Sequence, residues 1–421
     1  MAALVGLLCV YAVQAATPLR LTFDSIGYLS IAHSIATGHG IPAHAPFPPG
    51  LPGLYALLAV LGIGRSWAIV MLNVVFLAVA MASTVVLYRR TLGIERQVSI
   101  LLACSALLSY VVVKFAALAL SDVPFLGVSS AALVLLTLAA QGRSNRRFVL
   151  LAVGIALVGA ATAIRSAGIA LAPAAFVASI ETVRLGTPLR AWLRTGRAAV
   201  TLVVCTAATA LLGYLLSSSR YFQTASVGYG HRSFGSLVAR HIRNWGEIAV
   251  NVPKTRLPHA LDALLVPAGL VVVGVLLVGV WRSRRSGLPV HVFTLSYLAL
   301  ILAWPYTDAR FWLPLVPLTL GYAYIALKPV LRYRTGVIAL GVYVIVFAGI
   351  GFVALEYDTS LSYSGSRFPD RYGGATPGVS LQPTYRVAFG EARPGDGARV
   401  NHNALAILRD WETRARHTHR P

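Results

Sequence analysis

The chain has 421 residues, 57% of them hydrophobic and only 12% charged, with a mean hydropathy of +0.71. Soluble globular domains carry about 25% charged residues, so this composition excludes a soluble globule and describes an integral membrane protein with many spans. The formal net charge of +22 does not point to nucleic acid, because the basic residues sit in short loops between apolar runs, with no patch of interleaved stacking aromatics on that side.

A spanning helix needs roughly 20 predominantly apolar residues, and about eleven runs approach that length. They lie near 2–18, 66–88, 97–113, 123–140, 148–163, 166–182, 198–216, 263–281, 289–304, 311–327 and 335–354, which predicts an all-α polytopic bundle. Sixteen Lys and Arg residues fall in alternate loops, around 89–96, 143–147, 184–197, 282–285 and 328–334. Under the positive-inside rule those loops are cytoplasmic. The amino terminus is then cytoplasmic, the carboxyl terminus external, and the segments 20–52, 114–124, 217–261 and 305–310 share the external face of the plasma membrane. The first run opens at Met1 without a basic stretch, which argues against a cleaved signal peptide; a trimmed or mis-assigned start accounts equally for its shortness.

The first polar loop, Leu21 to Pro52, reads LTFDSIGYLSIAHSIATGHGIPAHAPFPPGLP. Asp24 opens a short helix running through Ala36, and Pro46, Pro48, Pro49 and Pro52 stiffen the return to the membrane. Residues 50–62 are apolar but too short to span, so they are expected to be interfacial or re-entrant. In the long loop, Leu237, Val238, His241, Ile242 and Trp245 recur at helical spacing beside Arg240 and Arg243, the pattern of a helix lying in the interface. The organisation is a transmembrane domain, 1–354, followed by a polar tail, 355–421, in which Asn401 or Asn403 can cap a short helix. There is no internal repeat, Walker loop or dinucleotide fingerprint, and so no support for an ATP-driven pump. Cys9, Cys104 and Cys205 all fall in predicted spans and read as small apolar residues.

Only fourteen acids occur, and three of them, Asp24, Asp122 and Asp308, flank spans on the external side. A charge at the centre of a span costs roughly 2.5–3.5 kcal/mol, so charges near hydrocarbon usually have a reason. Helix capping is the plain reading of each acid, and Asp308 can also pair with Arg310. The other reading is chemical: a carboxylate within about 3 Å of an acceptor hydroxyl can take its proton. Arginines can hold a leaving phosphate without changing protonation, and Arg165, Arg310 and Lys114 stand at the external face. Snorkelling from a helix end is the plain reading of Arg165 and Lys114. His33, His39 and His44 are six and five residues apart, without the spacing of a zinc site. Hydrogen bonding to substrate or interface is the favoured role of His39 and His44, with a divalent cation bridging Asp24 or Asp122 to phosphate as the other option.

An acid, a short helix, Gly-His-Gly and Pro-Pro-Gly-x-Pro in the first loop resemble the GT-C-type glycosyltransferases, in the branch of protein O-mannosyltransferases and aminoarabinose lipid A transferases. The segments SDVPF at 121–125, AIRSAG around Arg165, and TDARFWLPLVP at 307–317 extend the resemblance. It implies an inverting transfer of sugar from a polyprenyl-phosphate donor to a cell-envelope acceptor, with Asp24 as general base. It further implies Arg310 and Arg165 at the donor phosphate, and Asp122 at the acceptor or a metal; Asp308, on the same face, is a further candidate for substrate or metal. Two other functions compete: a transporter or lipid flippase, which would carry charges at mid-span and broken helices in repeated halves, and a non-catalytic scaffold of the same fold. The Ala-, Val-, Arg- and Gly-rich composition fits a GC-rich bacterium.

Overall fold

The computed structural model describes residues 2–16, 22–42, 45–142, 146–184 and 233–366. Among these residues every regular element is helical. The predicted span 198–216, the first part of the 217–261 loop, His44, Cys205 and the tail beyond Ser366 lie outside the described residues.

After α1 (Ala2–Val13), the first-loop helix α2 (Phe23–Ala36) packs on α3 (Gly50–Val60), which is too short to cross a membrane, as expected. The long span α4 (Ser66–Thr91) ends on Arg89 and Arg90, which suit both the carbonyl end of a helix and the lipid headgroup zone. It stops at Gly93, whose φ of 62° breaks the helical run. A bent pair follows, α5 (Arg96–Leu107) and α6 (Tyr110–Ala116), then α7 (Asp122–Gln141), α8 (Arg146–Ile164) and α9 (Ala172–Arg184). The second half comprises α10 (Phe234–Val250), α11 (Leu265–Ser283), α12 (Leu288–Leu302), α13 (Val316–Leu327) and α14 (Arg334–Ser366). The core sits where α7 packs between α4 and α8, and α11 packs between α10 and α13.

Every predicted run within the described residues is covered by apolar helix, the run 97–113 by two helices rather than one. Among the described residues seven helices are long and apolar enough to span alone, or eight with the bent pair, against the ten predicted runs that fall there. The difference has three sources among the described residues. Ala2–Ala16 and Leu288–Leu302 are short, and the run 97–113 is not one straight helix but bends by 60° between α5 and α6. That break is held by Asn251, itself in a left-handed conformation at φ 58°. Its Oδ1 accepts the Tyr110 N–H at 2.6 Å, and its Nδ2 donates to the carbonyls of Leu108 and Phe347, both at 2.9 Å. Backbone groups freed by a broken span are thus satisfied by a buried side chain, as an apolar surrounding demands. Nearby, Glu247 accepts from the Tyr110 hydroxyl at 3.3 Å and from the Lys254 N–H at 3.1 Å, while burial pushes its carboxyl up from the ordinary range.

Two further expectations change. The last helix runs on to Ser366, past the predicted boundary at 354, because Leu355 and Asp358 are buried and packing continues there. The amphipathic segment of the long loop is α10, but its apolar face is covered by protein. Leu237, His241 and Trp245 are buried, and glycines bring α10 and α11 into backbone contact. A Cβ at Gly246 would collide with the Leu265 carbonyl, and one at Gly269 with that of Ile242. Cys104 is buried while Cys9 faces outward.

Candidate active site

Asp24 stands in the first turn of α2, but it is not the cap. Thr22, in an extended conformation, caps the helix, with its Oγ1 accepting the Ser25 N–H at 3.2 Å. The Asp24 side chain is thereby released to face away from its own helix end. One turn on, Tyr28 donates its hydroxyl to Ser121 Oγ at 2.9 Å, and its ring stacks on Phe47 at 4.3 Å between centroids. These two contacts tie α2 and the proline-rich return loop to the start of α7, where Asp122 begins the helix.

The third acid comes from the far end of the chain. Asp308 does cap, and does pair, as its sequence position suggests. Its Oδ1 accepts the Arg310 N–H at 3.1 Å at the start of the 3-10 turn Ala309–Leu315, and its Oδ2 lies 3.3 Å from Arg310 Nε. The other side of the guanidinium reaches Asp24, with Nη2 to Oδ2 at 2.6 Å. The turn is anchored from behind by Tyr297, whose hydroxyl donates to the Phe311 carbonyl at 3.0 Å, and by Trp312, which is buried and stacks on Trp245 of α10 at 4.7 Å.

Arg165 follows α8 in an extended conformation and pairs with Asp122, both side chains being nearly inaccessible. A buried charge pair is tolerated only when both members are present, so each holds the other in place. The guanidiniums of Arg165 and Arg310 lie 5.1 and 5.4 Å from the Phe311 ring centroid, which sets the two cations around one aromatic side chain.

Asp24, Asp122, Asp308, Arg165 and Arg310 line one cavity of about 570 Å³, together with aromatic side chains that include Tyr28, Trp304 and Phe311. A sixth charged residue, Arg240 of α10, completes the wall. It is exposed, and among the described residues no acid pairs with it. Sequence reasoning placed Arg240 on the polar face of a loop helix but not at the site. Its signal was present: a basic residue opposite an apolar stripe in an external loop. Its neighbour His241 is buried, with Nε2 at 2.8 Å from the Trp304 carbonyl, and burial holds its imidazole below the ordinary value of 6.5.

Two predicted members do not line this cavity. Lys114 is buried within α6, where its charge acts on Glu247. His39 is exposed just beyond the end of α2, with Nδ1 at 2.8 Å from Thr37 Oγ1. Among the described residues no cluster of three or more His, Cys, Asp or Glu side chains is placed to hold a metal ion. Asp24 and Asp122 are each engaged by an arginine, so a bridging cation would have to displace Arg310 or Arg165.

The all-α bundle of apolar spans, with short helices and a charged cavity gathered at helix ends, is similar in fold to solved structures of GT-C-type membrane glycosyltransferases. Among solved structures, ArnT from Cupriavidus metallidurans bound to undecaprenyl phosphate is similar over 98% of this chain and 77% of its own, with a TM-score of 0.52 and 15% identity. The oligosaccharyltransferase of Archaeoglobus fulgidus, in a complex with zinc and sulfate, is similar over 87% of this chain, with a TM-score of 0.51 and 12% identity. The chain spans 56% of that larger protein. At these identities the likeness is one of fold. No family model matches the sequence, and no curated protein matches it either.

Proposed function

We propose that the protein is a membrane glycosyltransferase that moves a sugar from a polyprenyl-phosphate donor to an acceptor outside the cytoplasm, with Asp24 as general base. The observation that carries this reading is the cavity wall, where the partly exposed carboxylates of Asp24 and Asp308 stand with three arginines suited to phosphate, and Asp24 is the one not committed to a local turn. The acceptor is a hydroxyl-bearing lipid, glycan or protein of the cell envelope. Its oxygen attacks the anomeric carbon while its proton passes to an Asp24 oxygen. The bond from that carbon to the phosphate oxygen breaks, and its electron pair leaves with the phosphate. Arg240 and Arg310 receive the charge that develops there, and Asp122 keeps Arg165 oriented beside them.

The positions of the charges favour transfer over transport. Asp24 and Asp122 lie in first turns, Arg165 between helices, and Asp308 and Arg310 ahead of α13, so all stand at element ends rather than at mid-span. The alternate basic loops support a site that opens outside the cytoplasm. The test is transfer of labelled sugar from a panel of polyprenyl-phosphate donors by membranes carrying wild type or Asp24→Asn at matched insertion. General bases contribute about 10²- to 10⁴-fold, so a loss of that order is expected. Equal transfer by both proteins removes Asp24 from the role, and no transfer or donor binding by either removes the glycosyltransferase reading.

A further inference from the structure

Arg310 is shared unequally between its two acids. Asp308 meets it twice, in a hydrogen bond from the backbone N–H at 3.1 Å and in an ion-pair contact with Nε at 3.3 Å, and the first of these is part of the local turn itself. Asp24 is bound once, by a single contact between side chains from opposite ends of the chain. Among the described residues Asp24 has no other polar partner. The contact is partly open to the cavity, with side-chain exposures of 20% for Arg310 and 31% for Asp24. One partner is therefore held by the local turn and the other only through its side chain, by a hydrogen-bonded ion pair.

The Asp24 oxygen that accepts from Arg310 Nη2 is occupied, and cannot at the same time take the proton of an acceptor hydroxyl. A phosphate group entering the cavity presents a competing anion with more charge and more acceptor oxygens, in the geometry the arginine fork fits. Arg240, exposed and without an acid partner among the described residues, gives the phosphate a first point of attachment on the same wall.

We infer that Arg310 is a positioning residue that switches partners. It holds Asp24 while the cavity lacks donor, and passes to the donor's phosphate on binding, which frees Asp24 to accept the acceptor's proton. Asp308 keeps Arg310 in place through the exchange. The inference rests on the function proposed above and adds an order of events to it: the base becomes competent only when a phosphate is present. Such coupling keeps Asp24 from taking protons from water or acceptor before there is a sugar to transfer.

The test is equilibrium binding of sugar-free undecaprenyl phosphate to the full-length protein in detergent, which needs no turnover. If Asp24 competes with phosphate for Arg310, Asp24→Asn binds this lipid roughly three- to tenfold more tightly than wild type. The gain disappears in an Arg310→Gln background, because there is no longer a shared cation. Asp24→Ser serves as a second variant, and thermal unfolding confirms that each protein is folded. Binding by wild type with no gain in folded Asp24→Asn and Asp24→Ser overturns the switch alone. A gain that persists with Arg310→Gln also overturns it, since it would reflect only the loss of a negative charge from the cavity. Absence of binding in every folded protein overturns the glycosyltransferase reading and the switch with it.

Discussion

Arg310 Nη2 lies 2.6 Å from Asp24 Oδ2, joining the first polar loop to the lead-in of a late span. No local pattern in either segment specifies this contact. It exists because Tyr28 and Ser121 set the height of α2 against α7, and Tyr297 and Trp312 hold the 3-10 turn that carries Arg310. The candidate site is thus the product of several long-range anchors, and the following outcomes probe them separately.

The Asp122–Arg165 pair is buried, so breaking it leaves a lone charge where solvation is poor. Asp122→Asn or Arg165→Gln is expected to cost about 3–5 kcal/mol of stability, and the double variant clearly less than the sum. Thermal unfolding in detergent of the two single variants and the double variant reads this directly. Additive losses would show that the two side chains do not depend on each other.

Arg240 is exposed and makes no ion pair among the described residues, so its charge is available to a ligand at little structural cost. Arg240→Gln is expected to leave the unfolding temperature within about a degree of wild type, in line with the small effects of surface substitutions. The same variant is expected to weaken polyprenyl-phosphate binding by roughly tenfold. Unchanged affinity would remove Arg240 from phosphate recognition.

Gly246 lies where the backbones of α10 and α11 meet. Gly246→Ala forces the helices apart and is expected to destabilise the protein by about 1–3 kcal/mol. Because α10 also carries Arg240, donor binding should weaken in parallel with the fall in unfolding temperature. Gly235 lies on the same helix with open space around its Cα, and Gly235→Ala should show neither effect.

His241 makes stability depend on pH with a definite sign. Its folded pKa is lowered, so the unfolded chain takes up a proton below about 6.5 while the folded protein resists it. The contribution of the neutral, packed imidazole is present above that pH and is lost as pH falls through the folded value. The unfolding temperature of wild type should therefore drop more steeply below pH 6.5 than that of His241→Gln, whose amide can donate to the Trp304 carbonyl without titrating. Parallel pH profiles would rule His241 out as the source.

The membrane bundle was legible in the sequence because burial in lipid imposes length and apolarity residue by residue. Apolar helices therefore cover the predicted runs wherever these are described, all but the bent run 97–113 without a sharp break. Local chemistry was legible too: Asp308 caps its turn and meets Arg310 two positions on, as short-range geometry allows. Where the determinant was a distant partner, local reading failed. The run 97–113 contains no proline or glycine to announce its bend, which depends on Asn251 arriving from another loop. Asp24 is displaced from the cap by Thr22, a neighbour with equal capping credentials. Lys114 and His39 shared the predicted face with Arg240, yet only Arg240 lines the cavity, because rotation and packing of α6 and α10 decide which side chains converge. Composition and hydrophobic length, by themselves, determined a polytopic helical protein with acids and arginines at helix ends. Only the tertiary structure decided which acid meets which arginine, since an ion pair between remote segments depends on their placement in space and leaves no periodic trace in the chain.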